Sequence, residues 1–159
     1  MECSGNNELL NKPLIAFFAS RSALSHAAEL SREWAHAICE TDKVVISGFQ
    51  SPIEMLDHIE REVLDILLSR NHPVIVALGR SLYLRMPDVY RLAYSENRLL
   101  FISFRNHTRH NLSNAQIRNW AVADMADEVV FAPFAPDSQL SSLHHMLSFG
   151  DDAICVLGA

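Results

Sequence analysis

Arginine is the residue type best suited to chemistry in this sequence, and it is unevenly placed. Arg70, Arg80, Arg85, Arg91, Arg98, Arg105, Arg109 and Arg118 fall between Arg70 and Ala123 against only Asp88 and Glu96, so this stretch carries +6 in a chain whose net charge is −6. Lys12 and Lys43 are the only lysines. The positive charge is therefore almost wholly guanidinium, the group that forks onto phosphate and stacks on planar rings. Two readings fit: a phosphate-binding strip, or charge that mixes with acids once the surface folds. The densest part is Arg105, His107, Arg109 and His110 in one segment without an acid. Such a loop either tracks a phosphate backbone with salt-dependent affinity or is simply solvated.

Other chemistry is less well supported. His107 and His110, like His144 and His145, have no Cys or carboxylate partners at ligand spacing, so no metal site is expected. Glu54, Asp57 and His58 bring two acids and an imidazole together. Glu54, however, suits a helix cap, and His58 reads as a helix-packing residue, so no catalytic residue is assigned. Cys3, Cys39 and Cys155 form no CxxC pair and suit a reducing compartment.

The elements that would position these groups are legible from the apolar pattern. In Lys43 to Glu54, KVVISGFQSPIE, a β-branched run ends in Ser47-Gly48 and passes to a helix start, with Ser51 as N-cap, Pro52 at the first helical position and Glu54 closing a capping box. A helix that starts beyond the carboxyl end of a strand presents unpaired N–H groups and a positive dipole end to an anion. The same unit recurs. Apolar runs at Leu14–Ala19, Lys43–Ser47, Pro73–Leu78, Leu99–Ser103, Glu128–Ala132 and Ala153–Leu157 predict six strands. Helical periodicity predicts helices over Ala23–Glu40, Pro52–Arg70, a shorter one from Pro87, Ser113–Met125 and Asp137–Ser148. This alternation means an α/β fold: a doubly wound, mostly parallel sheet of about six strands with helices on both faces, Rossmann-like.

At 159 residues, 49% hydrophobic and 20% charged, the chain is expected to form one domain over 13–159 behind a flexible arm over 1–12. No apolar run approaches the roughly 20 residues of a membrane span, and the opening MECSGNNELLNK lacks a signal-peptide core. The expectation is a cytoplasmic protein without a membrane partner. The overall acidity argues against a general nucleic-acid binder.

Four turns and their spacing together resemble the Rossmann-like domain of the DprA/Smf DNA-processing family, in the wider SLOG-type nucleotide-binding group. The family's Gly-Ser-Arg after the first strand is answered by Ala19-Ser20-Arg21. Its SGxARGID, followed by a His, is answered by SGFQSPIE from Ser47 to Glu54 with His58 in register. Its GxGxDxxYP is answered by GRSLYLRMP, keeping Gly79 and Pro87, and its RNRIIAGLSD by RNWAVADMAD, keeping Arg118, Asn119, Ala123 and Asp127. Gly150, AICV and Leu157-Gly158 match its closing segment. The resemblance covers nearly everything from Pro13 onward.

The resemblance implies a stand-alone DprA-like domain that binds single-stranded DNA or a nucleotide phosphate at the strand carboxyl ends, without catalysis and without a cofactor. Its site would comprise Ser20, Arg21, Ser47, Gly48, Gln50, Ser51, Gly79, Arg80, Arg105, Arg109, Arg118 and Asn119. Departures fall in the phosphate-facing loops: Ala19, Gln50-Ser51-Pro52, Ser81 and Tyr83 stand where the family has glycines, Ala-Arg-Gly and an acid. Lost glycines narrow the approach of a ligand to the backbone. Two alternatives stay open: a phosphoribohydrolase-type enzyme of related fold, whose PGGxGTxxE stretch is absent here, and a degenerate domain acting through protein contacts, with a homodimer among its forms.

Overall fold

The runs LIAFF, VVIS, VIVAL and LLFIS become four adjacent strands buried on every residue: β2 (Leu14–Phe18), β3 (Val44–Ser47), β4 (Val74–Leu78) and β5 (Leu99–Ser103). Continuous apolarity is what a strand needs when helices cover both faces of its sheet. The computed structural model describes residues 1–20, 25–49, 58–104, 112–150 and 153–159, with the backbone alone for 112–114. Among these residues seven strands form one sheet. With β1 (Glu2–Gly5), β6 (Glu128–Phe131) and β7 (Ala153–Val156) the order is β1-β5-β4-β3-β2-β6-β7, parallel except for β1.

Chain direction across the sheet reverses at β2: β3, β4 and β5 follow on one side, then β6 and β7 on the other. A crevice opens outside the strand carboxyl ends at such a reversal. One face is packed by α1 (Ala27–Ile38), α2 (Ile59–Ser69) and α3 (Arg91–Ser95), whose Ala35, Val63, Leu64, Leu67 and Ala93 bury against Phe17, Val45, Val76 and Phe101. The other is packed by α4 (Leu112–Met125) and α5 (Gln139–Leu147), whose Val122, Ala123, Leu140 and Leu143 bury against Phe18, Ile46, Ile75 and Phe131.

The first twelve residues correct the expected flexible arm. Glu2–Gly5 pairs antiparallel with β5, Glu2 opposite Ser103 and Gly5 opposite Leu100, and a 3-10 helix over Asn7–Asn11 drops Leu9 into the core at 3% exposure. A strand added at a sheet edge is held by backbone hydrogen bonds, so ECSG needs no apolar alternation to pair, and its polarity was no guide. Gly5 sits at φ +122° with Leu99 beneath it, where a side chain would collide with the Leu99 carbonyl. Its glycine is required.

The helix after β3 also differs. The expected capping box of Ser51, Pro52 and Glu54 lies outside the described residues, and within them α2 begins at Ile59. His58 is extended (φ −79°, ψ 143°) and is its N-cap, its Nδ1 accepting from the Glu60 N–H at 3.1 Å. His58 therefore starts the helix instead of packing within it. Ser138, accepting from the Leu140 N–H at 3.1 Å, caps α5 in the same way.

Two outcomes follow from this packing. Leu9→Ala empties a closed position under β1 and lowers the unfolding free energy in urea by about 2–4 kcal/mol. His72, buried with Nε2 2.6 Å from the Lys43 carbonyl, has its pKa held below 6.5 by desolvation, assisted by Arg70 and opposed by the Lys43 hydrogen bond. The unfolded chain takes up a proton near pH 6.5 that the folded chain refuses, so stability is complete above that pH and falls as pH drops below it. His72→Gln, which retains a donor, flattens that part of the stability–pH curve measured by denaturant titration.

Candidate functional site

Ser20, Gly48 and Gly79 each follow one of three adjacent strands, β2, β3 and β4, so the turns expected to face a ligand lie side by side at the strand carboxyl ends. The parallel sheet alone brings them together. What shapes the space around them is a pair of charged side chains arriving from opposite faces.

Glu60 arrives from α2. It is 2% exposed, and it accepts from the Ala19 N–H at 2.9 Å through Oε2 and from the Ser47 hydroxyl at 3.4 Å through Oε1. Ser47 Oγ in turn accepts from the Phe49 N–H at 3.1 Å. One carboxylate therefore ties the ends of β2 and β3 together from the first turn of a helix, where the dipole favours negative charge. Phe49, buried at φ +49°, shows that the turn after Gly48 is held in a conformation bulky residues seldom adopt.

Arg118 arrives from α4. A side chain on a helix leans toward the helix N-terminus, and α4 returns from the carboxyl end of β5, so the guanidinium reaches back over the strand ends. It is 2% exposed and presses on Gly48: a Cβ built there would overlap Cζ and Nη1 and come within 2.6 Å of Nε. Asn119 Oδ1 accepts from Nε at 3.2 Å and Nη2 at 3.1 Å, which fixes the plane of the fork. Nη1 is buried without a hydrogen-bond partner among the described residues. Desolvation lowers the Arg118 pKa from the ordinary arginine value, and the Glu60 carboxylate works in the opposite direction. An arginine keeps its proton regardless, so this is a buried cation with an unspent donor. Leaving such a donor unpaired costs about 1–3 kcal/mol, more for a charged group.

Arg80 occupies the rim. Its Cζ lies 4.8 Å from the centroid of the Tyr83 ring, its Nε donates to the Ser81 carbonyl at 3.2 Å, and its own carbonyl accepts from the Ser103 hydroxyl at 2.6 Å. Tyr83 thus stands where the family has an acid and carries an arginine on its face.

Of the expected site residues, the structure brings Ser47, Gly48, Arg118 and Asn119 into one cluster, and sets Ser20, Gly79 and Arg80 on the neighbouring turns. Arg21, Gln50, Ser51, Arg105 and Arg109 lie outside the described residues. The arginine-rich stretch does not form one strip: Arg70 pairs with Glu40 at 2.7 Å, Arg91 with Asp88 at 2.8 Å and Arg98 with Glu96, all structural ion pairs. Glu60 was not among the expected residues. Its signal was available, since it shares the apolar helical stripe of Val63, Leu64 and Leu67, where an acid is out of place.

No family model matches the chain, and no curated protein matches its sequence. Solved structures share its fold. DNA processing protein A (DprA) from Streptococcus pneumoniae superposes with a TM-score of 0.75 at 22% identity, over 99% of this chain and 54% of that one. DprA from Helicobacter pylori, described for its single-stranded DNA binding mode, gives 0.73 at 17% identity, over 97% of this chain and 69% of that one. The molybdenum cofactor carrier protein of Chlamydomonas reinhardtii gives 0.58 at 12% identity, over 92% and 76% of the two chains. The chain therefore has the Rossmann-like fold of DprA and spans about half the length of the pneumococcal protein.

The contact between Gly48 and Arg118 is directly testable. Gly48→Ala forces the guanidinium out of its seat and destabilises the fold by about 1–3 kcal/mol, as overpacking does. In an Arg118→Ala background, itself destabilised by the loss of a buried charge partner, the same Gly48→Ala change costs little further, because the clash needs both partners. Thermal unfolding of wild type, the two single variants and the double variant reads the coupling.

Proposed function

We propose that this chain is a DprA-like binding module that holds single-stranded nucleic acid by its phosphate backbone at the carboxyl ends of β2, β3 and β4, without transforming it. The observation that carries the reading is Arg118: a buried guanidinium, oriented by Asn119 and seated on Gly48, with Nη1 unspent. A phosphate oxygen is the partner such a donor lacks. The DprA fold adds support, since the Helicobacter pylori protein of that fold binds single-stranded DNA.

Within this reading each group has its part. Arg118 supplies the charge-assisted bond, Asn119 keeps its fork from turning, and Gly48 leaves room for it. Arg80, stacked on Tyr83 at the rim, meets the next phosphate along the strand, and Arg21, Arg105 and Arg109 extend the contact. Affinity rests on guanidinium–phosphate pairs and so weakens with salt.

Fluorescence anisotropy of a labelled oligothymidylate at low and moderate salt tests the proposal. Wild type binds and weakens as salt rises. Arg118→Ala loses tenfold or more, and Arg80→Ala loses less while lowering the salt slope by about one ion. Absence of binding at low salt, or an Arg118→Ala variant that binds like wild type, contradicts the reading.

A further inference from the structure

Glu60 has a role at this site beyond bracing two strands. In a phosphate-binding turn the backbone N–H groups beyond a strand are presented to the ligand. Here the Ala19 N–H, just beyond β2, is already taken by Glu60 Oε2 at 2.9 Å, and the Ser47 hydroxyl is turned to Oε1. A carboxylate of the protein thus occupies donors that a ligand anion would otherwise use. Accepting at both oxygens is the pattern of an ionised carboxylate. That charge is close enough to Arg118 to raise the proton affinity of its guanidinium. Among the described residues the two buried charges, +1 and −1, oppose each other across the strand ends, and Nη1 of Arg118 is left without a hydrogen-bond partner.

We infer that Glu60 sets the charge of the phosphate this site accepts: a singly charged phosphodiester, as inside a nucleic-acid strand, and not the doubly charged terminal phosphate of a free nucleotide. The inference rests on the binding reading above and names the group that would exclude a free nucleotide's terminal phosphate from the same site. A diester presents one negative charge to one spare donor. A terminal phosphate near neutral pH carries close to two, its second pKa being about 6, and the extra charge faces the buried Glu60 carboxylate. Like charges brought together in a poorly solvated site repel strongly.

The test uses two competitors that differ by one methyl group and the charge it removes, thymidine 5′-phosphate and its phosphate methyl ester, displacing a labelled oligothymidylate from the protein at pH 7.5 and fixed salt. Wild type prefers the singly charged ester by about tenfold, equivalent to about 1.4 kcal/mol. Glu60→Gln keeps an oxygen for the Ala19 N–H but removes the charge, and the preference shrinks to threefold or less or inverts. A wild-type protein that binds the doubly charged phosphate as tightly as the ester overturns the inference, and so does a folded Glu60→Gln protein with the preference intact. The wild-type comparison stands even if the variant does not fold. Failure of the oligothymidylate itself to bind is a separate result, which removes the nucleic-acid reading on which the inference rests.

Discussion

The site depends on a buried guanidinium seated against a glycine. Arg118 crosses from α4 to the carboxyl end of β3 and stops where Gly48 has no side chain. Asn119 holds its plane, and Glu60 answers its charge from the opposite face of the sheet. Burying a charge costs several kcal/mol unless partners recover it. Here recovery is incomplete, since Nη1 has no partner among the described residues. Structures keep such local costs mainly where a ligand repays them.

The same constraint explains the unusual turns. With the Ala19 N–H and the Ser47 hydroxyl engaged by Glu60, the glycines that would let a ligand approach the backbone lose their purpose. Alanine at position 19 is then acceptable and is buried at 4% exposure. Tyr83, in place of an acid, gives Arg80 a ring to lie on and packs edge-on against Phe101, with centroids 5.6 Å apart. The losses relative to the DprA/Smf pattern are thus accompanied by replacements, a carboxylate at one turn and an aromatic ledge at another.

Much of the fold was legible because parallel strands buried on both faces leave continuous apolar runs, and LIAFF, VVIS, VIVAL and LLFIS are of that kind. The N-terminal strand was not, because ECSG joins β5 through its backbone, which apolar periodicity does not report. The start of α2 at Ile59 was not legible, because its cap is the imidazole of His58, a residue type that sequence patterns do not mark as a cap; the capping box expected at Ser51, Pro52 and Glu54 lies outside the described residues. Arg118 was found through motif resemblance, although it also sits on the buried stripe of α4 one turn before Val122. Glu60 lies on the corresponding buried stripe of α2, but its type hides it, because a single acid in a helix ordinarily faces water. Of the two readings of the clustered positive charge, mixing with acids holds for Arg70, Arg91 and Arg98: the partners of the last two, Asp88 and Glu96, are close in sequence, whereas Glu40 reaches Arg70 only once the chain is folded.

The central claim is that Arg118 meets phosphate directly. Its guanidinium resonances, followed by 15N-resolved NMR while an unlabelled oligothymidylate is added, test this without altering the protein. The account predicts that the Arg118 side-chain signals shift on binding and that its Nη protons exchange more slowly with water once Nη1 gains an acceptor. Oligonucleotide binding that shifts other residues and leaves the Arg118 guanidinium unchanged would contradict it, and would make the buried arginine a structural partner of Glu60 alone.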